Sequence, residues 1–329
     1  MSVHRRTLLL STLAAPAAGL FNQSAFGQDN WPSKPISLIA PSSPGGPADT
    51  LARSVINSMS RELGVAVVVD NKPGASGKIG MLAALNAPRD GHTIVVTSIT
   101  ALCALPVFNL NAGYDPLKDF DPLTLAVRTP SVLMVHPSVP VRNMSELIAY
   151  AKARPRELNY ASFGEKSSSH LAFENLLRLL DLEMTHVPFR SESDGRTALI
   201  SGQVQLMSTS AAAKPFIDSG RLIALGQSSA GRWSAMPNVP SLRESGVAAL
   251  ASYEYEPWLG FSVAAGVSPA VRERLSTALR NALRSAESSQ LQTLGYRVVA
   301  STPAEMRKAV DADTVEYKLL ARSGRVKPE

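Results

Sequence analysis

Apolar and polar positions along the chain come in blocks whose period switches between strand and helix. Ile36–Ala40 is a short apolar run suited to a buried strand. Residues 41–47 interrupt it. Over 48–63, Leu51, Val55, Met59 and Leu63 fall on one helical face, with Ala52 and Ile56 beside them. Pro47 suits a first helical turn, Asp49 stands near its positive end, and Gly64 stops it. The unit then repeats: a strand at 65–69, a loop at 71–77, a helix at 78–86 and a strand at 92–97.

A second set begins near Ser131. Strands are predicted at 132–135, 158–161, 185–188, 203–207 and 222–226, and a helix at 170–180. Asn143-x-x-Glu146 resembles a capping box and opens a further helix running to Ala153. The character changes again near residue 253. A strand follows at 258–263. Ser268-Pro269 then starts a long amphipathic helix bearing Val271, Leu275, Leu279 and Leu283, and a last helix covers 303–320. Strand–helix alternation predicts an α/β protein with a mainly parallel sheet in each half, covered by helices. With 329 residues, 45% of them hydrophobic, the chain is expected to form two domains. The C-terminal helical return places one lobe at 28–129 plus 253–329 and the other at 130–252.

The first residues read as an export signal. Arg5-Arg6 precede an apolar stretch over 8–20, and Ala25-Phe26-Gly27 carries small residues where a signal peptidase cuts, near Gln28. The twin arginine also resembles a Tat signal, so Sec and Tat export both stay open. Cleavage would remove two arginines and no acid, lowering the formal charge from +6 to +4. A mildly basic surface without a long Lys/Arg run suits an anionic small molecule and argues against nucleic acid. The single cysteine, Cys103, cannot form an internal disulfide, so packing must hold the fold; Cys103 reads as a buried small hydrophobe.

Three junctions share one design. Ser42-Ser43-Pro44-Gly45-Gly46, Pro73-Gly74-Ala75-Ser76-Gly77 and Ser162-Phe163-Gly164-Glu165-Lys166-Ser167-Ser168-Ser169 each lead into a helix. In a parallel sheet such loops lie at the carboxyl ends of strands, where unpaired helix-start N–H groups and hydroxyls make an anion site. Each is equally readable as an ordinary capped connection. Enzyme motifs fail. Gly74-Ala75-Ser76-Gly77-Lys78-Ile79 is too short for a P-loop and has Ile79 where Ser or Thr must hold the metal. No dinucleotide fingerprint or nucleophile elbow occurs, H-E-x-x-H is absent, and no metal or organic cofactor is expected. Tyr255 and Trp258 read as core or inter-lobe packing more than as ligand stackers.

These loops resemble the Bug family of periplasmic solute-binding proteins, the receptors of tripartite tricarboxylate transporters. The similarity runs from Trp31-Pro32-Ser33-Lys34-Pro35-Ile36 through Pro44-Gly45-Gly46-Pro47-Ala48-Asp49 and Asp70-Asn71-Lys72-Pro73-Gly74-Ala75-Ser76-Gly77. It continues at Tyr114-Asp115-Pro116, Tyr160-Ala161-Ser162-Phe163-Gly164, Ser169-His170-Leu171-Ala172, His186-Val187-Pro188-Phe189-Arg190 and Pro237-Asn238-Val239-Pro240-Ser241. The resemblance implies a two-lobed, type II periplasmic-binding-protein fold, a Venus flytrap closing on a small carboxylate. It points to Ser42, Ser43, Gly46, Asp49, Ala75, Ser76, Thr97 and Ser98 in one lobe. In the other it points to Ser162, Ser167, Ser168, His170, Arg190 and Ser208. The chain departs from the family pattern at Ser42-Ser43, Lys166, Ser191 and Gln205, which makes the loops more polar. The expected ligand therefore has two carboxylates, or one carboxylate plus other polar groups. Lys166 either meets it or pairs with Glu165 in solvent.

The implied mechanism is binding by a periplasmic monomer: the anion stabilises the closed form, which docks on membrane transporter subunits. Two other readings remain at this point: a receptor serving a sensor system, or an exported enzyme needing a nucleophile–base pair or a Schiff-base lysine such as Lys78 or Lys166.

Overall fold

The computed structural model describes residues 31–109 and 111–328, so the export signal expected in 1–27 lies outside the described residues. The strands in chain order are β1 (Ile36–Ala40), β2 (Val67–Asn71), β3 (Thr93–Ser98), β4 (Phe120–Arg128) and β5 (Val132–Val135). They continue as β6 (Asn159–Ser162), β7 (Thr185–Pro188), β8 (Leu206–Thr209), β9 (Ile223–Gln227), β10 (Trp258–Ala264) and β11 (Arg297–Val298). They form a six-stranded sheet ordered β11-β4-β10-β3-β1-β2 and a five-stranded sheet ordered β7-β6-β8-β5-β9.

Both sheets are mixed, which corrects the expectation of mainly parallel ones. β1 runs parallel to β2 and β3, and β6 parallel to β7 and β8, as strand–helix–strand units demand. The antiparallel pairs β10 with β3 and β4, and β5 with β8 and β9, come from the crossing between the sheets. The chain leaves the first sheet along β4 into β5 and returns along β9 into β10. Two strands that carry one chain out and back across the same gap must run in opposite senses. β4 itself escapes the hydrophobic pattern because Asp121 and Pro122 interrupt it; its register with β10 shifts there, the irregularity that tolerates a proline within a sheet.

Each sheet is covered on both faces. Helices Pro47–Leu63 and Pro269–Arg284 lie on one face of the first sheet and pack Leu51, Val55 and Met59 with Leu275 and Leu279. A fully buried Leu of this kind contributes about 1.5–3 kcal/mol. On the opposite face are helix Lys78–Leu85, the turn Thr100–Phe108 and helix Pro303–Arg322, around Cys103, which is completely buried. In the second sheet β5 sends Leu133 and Val135 to one core and Val132 and Met134 to the other, the two-residue period of a strand buried on both faces.

The two linking segments lie side by side. Thr129 N–H donates to Pro257 O at 2.7 Å, Ser228 N–H to Ser131 O at 2.8 Å and Tyr255 N–H to Ser228 O at 2.9 Å. The C-terminal helix of the first half and the residues after it reach across to the second: Glu316 lies 3.7 Å from Arg178, and Arg325, beyond the helix end, pairs with Glu174 at 3.4 Å. Among the described residues no helix is long and apolar enough to cross a membrane.

Candidate functional site between the sheets

A cavity of about 390 Å³ lies between the sheets, with both linking segments in its wall, and is within the range of small-molecule sites. The first half contributes Pro47 at a helix start, Ser98 at the end of β3 with Ile99 and Thr100 after it, and Tyr296. The second half contributes Phe163 after β6, Ser168, Ser169 and Ala172 in the first turns of helix Ser168–Leu180, and Ser208 to Ser210 around the end of β8. Thr129 to Ser131 and Tyr255 to Leu259 come from the linking segments and their flanks. The helix start matters because its first amides cannot donate within the helix. Ser167 Oγ caps it by accepting the His170 N–H at 3.3 Å. The Ser168 and Ser169 N–H groups keep no partner among the described residues, and both residues line the cavity.

Of the residues singled out from sequence, Ser98, Ser168 and Ser208 line this cavity. Ser208 Oγ donates to Ser131 Oγ at 2.9 Å, which lies 3.1 Å from Ser228 Oγ, a hydroxyl chain along the linking segments. Ser98 Oγ accepts the Ala101 N–H at 3.1 Å. Ala75 and Ser76 line a neighbouring cavity of about 230 Å³, facing Glu165 and Lys166 of the other half; Thr100 borders both spaces. Ala75, Ser76 and Lys166 all have positive φ, of 47°, 55° and 53°.

The remaining residues are placed differently. Ser42, Ser43, Gly46 and Asp49 form a closed turn and line neither cavity. Gly46 N–H donates to Ser43 O and Asp49 N–H to Ser42 Oγ. The Asp49 carboxylate accepts from Gly45 N–H at 2.8 Å, Asn71 at 3.0 Å and Arg53 at 2.9 Å. The Arg53 guanidinium is the main reason its pKa falls to about 2, against a burial penalty in the other direction. Thr97 is buried, and its hydroxyl has no partner among the described residues. Arg190 is exposed. Ser162 is fully buried, with Oγ 2.6 Å from His186 Nε2. His170 stacks on His186 with ring centroids 3.7 Å apart, and its Nδ1 accepts the Lys166 N–H at 2.9 Å. Burial first, then the neighbouring His186 and Lys166, push the His170 pKa down to about 3; burial lowers that of His186 as well.

Sequence reading missed Glu192. It begins helix Glu192–Ile200, which Gly195 masks in the pattern; a Cβ there would approach Met207 Cε to 3.1 Å, so the glycine lets the helix sit close on β8. The available signal was Ser191-x-x-Asp194, whose Ser191 hydroxyl caps the helix by accepting the Asp194 N–H. Glu192 lines the cavity, and its Oε1 accepts from Thr209 Oγ1, Ser210 Oγ, Ser210 N–H and Arg196. Tyr255 and Trp258, read from sequence chiefly as packing residues, also line it. Tyr255 OH donates to Ser168 O at 2.9 Å, and Trp258 Nε1 donates to Asp313 at 2.7 Å. Among the described residues no cluster of three or more His, Cys, Asp or Glu is placed to hold a metal ion.

Two mixed sheets joined by paired links, with a cavity between them, define a two-lobed binding-protein fold. The chain belongs to the tripartite tricarboxylate transporter family receptors, whose model matches residues 51–321. It is 33% identical over 320 residues to the UPF0065 protein in the tcbD-tcbE intergenic region of Pseudomonas sp. (strain P51), covering 94% of each chain. It is 29% identical to protein BugT of Bordetella pertussis over 291 residues, 88% of each chain. Among solved structures, R. palustris Rpa4515 with adipate superposes with a TM-score of 0.74 at 28% identity, covering 91% of this chain and all of that one. The periplasmic binding protein BugD gives 0.72 at 27% identity, with 91% and 100% covered. MatC from Rhodopseudomonas palustris with bound malate gives 0.71 at 27% identity, with 88% and 99% covered.

Proposed function

We propose that this chain is a periplasmic receptor that captures a small organic carboxylate and delivers it to the membrane subunits of a tripartite tricarboxylate transporter. The observation that carries the reading is the cavity between the sheets, where the open Ser168 and Ser169 amides stand beside the Ser131–Ser208 hydroxyl pair. Hydrogen bonds to a charged group contribute about 1.5–3 kcal/mol each, so a few of them reach micromolar affinity, about 8 kcal/mol, after ordering costs. The helix-start dipole adds to the pull on an anion. Lobes at 28–129 plus 253–329 and at 130–252 would close about the paired links, and residues 1–27 would direct export and be removed. The adipate and malate held by the Rpa4515 and MatC structures support a carboxylate as the guest.

Catalysis is less well supported. Ser162, His186 and Glu165 fall in a serine–histidine–carboxylate order, with Glu165 3.8 Å from His186 Nδ1. Ser162 has no exposed surface and lines neither cavity, so its oxygen cannot reach a substrate carbonyl. The test is calorimetric titration of the purified protein with a carboxylate panel containing adipate and malate. Saturation with a micromolar constant is expected, along with stabilisation of about 2.7 kcal/mol at a hundredfold excess over the dissociation constant. If no carboxylate binds, the receptor reading is wrong.

A further inference from the structure

The lining of the main cavity has an unexpected charge. Glu192 is part of it, whereas no Lys, Arg or His is among the described residues that line it. Arg196 reaches Glu192 Oε1 at 3.2 Å but does not itself line the space. All four hydrogen bonds to the Glu192 carboxylate end on Oε1; Oε2 accepts none from the described residues. Glu192 also acts across the gap. The phenol of Tyr296, from the other half, is pushed to higher pKa first by burial and then by the Glu192 charge. The rest of the wall is largely apolar, with Phe163, Ala172, Trp258, Leu259 and Leu294 around the space.

This arrangement suits one carboxylate and not two. A first carboxylate meets neutral donors, the Ser168 and Ser169 amides and nearby hydroxyls. A second would stand in a mainly apolar space beside a like charge, with no cation in the lining to offset it. A hydroxyl or ammonium at the same place would instead donate to Glu192 Oε2, a charge-assisted bond. Resting on the receptor reading, we infer that Glu192 is a specificity filter. It selects an apolar-bodied monocarboxylate carrying a hydrogen-bond donor and rejects polycarboxylates.

The probes are mandelate, phenylacetate, phenylsuccinate and adipate, titrated into the wild-type protein and Glu192→Gln. The first three share a phenyl group and differ in a donor hydroxyl or a second carboxylate. Wild type should bind mandelate at least tenfold more tightly than phenylacetate, and phenylsuccinate and adipate at least tenfold more weakly than phenylacetate. Glu192→Gln should tighten phenylsuccinate and adipate at least tenfold while moving phenylacetate less than threefold. Wild type binding phenylsuccinate or adipate as well as mandelate overturns the filter and leaves the receptor standing. An unchanged ratio in Glu192→Gln also overturns it. Should that variant fail to fold, the wild-type ranking decides alone. Binding of none of the four probes overturns the filter, while the carboxylate panel decides the receptor reading separately.

Discussion

The turn before helix Pro47–Leu63 and the turn before helix Ser168–Leu180 are built from the same residue types, and they end in opposite states. In the first, all the helix-start donors but the Ala48 amide are consumed within the turn. Pro47 has no N–H, Asp49 N–H goes to Ser42 Oγ, Thr50 N–H to Gly46 O, and the Asp49 carboxylate gathers Gly45, Asn71 and Arg53. In the second, Ser167 caps only the His170 amide, and the Ser168 and Ser169 amides, from two residues that line the cavity, have no partner among the described residues. A glycine- and serine-rich junction is therefore not in itself a binding loop. What separates the two is whether a buried acid in the first turn satisfies the loop from within.

The largest effect should come from removing that acid. Asp49→Ala removes a buried carboxylate that holds the Gly45 amide, the Arg53 guanidinium and one of the two Asn71 bonds, while Asn71 keeps Ser42 O; the summed loss of these charge-assisted bonds is about 3 kcal/mol in urea denaturation. Ligand affinity, once measurable, should move less than threefold, because the first turn supplies no cavity wall beyond Pro47. A tenfold loss of affinity in a folded Asp49→Asn protein would erase the contrast. The pH dependence has a definite sign. The folded carboxyl is depressed to about 2, so its stabilisation is complete above the ordinary carboxylate pKa and disappears as pH falls toward 2. Asp49→Asn should flatten that part of the acid unfolding curve.

The second turn carries its own pH sensitivity, through the stacked histidines. His170 stays neutral down to about pH 3 in the fold, whereas an unfolded histidine takes up its proton near 6.5. The unfolded chain thus binds the extra proton first, and stability falls as pH drops from 6.5, by about 1.4 kcal/mol per unit for one proton. Groups facing the pair are Glu165, Lys166, through both its charge and its backbone N–H, and Tyr160, the last stacked on His186 at 5.1 Å. Between pH 6.5 and 5 wild type should lose about 2 kcal/mol more than His170→Gln. Parallel curves for the two proteins would remove the histidine from the account.

Much of this contrast was legible in sequence and part was not. β1, β5 and β7 stand where the apolar runs put them, and helix Pro303–Arg322 begins at its predicted proline. The three loops were recognisable from glycine and serine at helix starts. Their difference was hidden, because it depends on Asn71 reaching Asp49 from a neighbouring strand; the Asp49–Arg53 pair, four residues apart on one helix, was in the sequence but did not by itself show that the turn closes. Long-range partners leave no periodic trace. Glu192 was invisible for a related reason: it sits in a helix whose pattern Gly195 weakens, and it becomes part of the cavity only when β8 brings Thr209 and Ser210 beside it.

A backbone substitution isolates the open amides. Ser168 is the first residue of its helix, a position that accepts proline, and Ser167 already has the extended backbone, φ −65° and ψ 162°, that a following proline requires. Ser168→Pro deletes one N–H while keeping the cap and the carbonyl that accepts Tyr255 OH; it also removes the Ser168 hydroxyl, so its affinity is compared with that of Ser168→Ala, which lacks the hydroxyl and keeps the N–H. Ligand affinity should fall about tenfold, the low end of a hydrogen bond to a charged group, with the thermal midpoint nearly unchanged. An affinity equal to wild type would mean that the guest does not use this helix start.

The smallest expected change concerns what holds the second turn in place. Tyr255 OH donates to Ser168 O at 2.9 Å and lies 3.0 Å from Tyr317 OH, which ties the helix start, a linking segment and the C-terminal helix into one chain of bonds. Since the Tyr255 proton is directed at Ser168, Tyr317 supplies the proton between the two phenols. Tyr317→Phe removes that single bond and leaves the ring, which packs at 6.2 Å on Phe108, in place. The stability loss should be about 0.5–1.5 kcal/mol, the net value of one neutral hydrogen bond. Tyr255→Phe breaks both bonds and leaves Ser168 O without its donor, so it should cost more and also weaken ligand binding by loosening the turn. Equal effects from the two substitutions would show that Ser168 is held by its helix alone, and the second turn would then be as self-sufficient as the first.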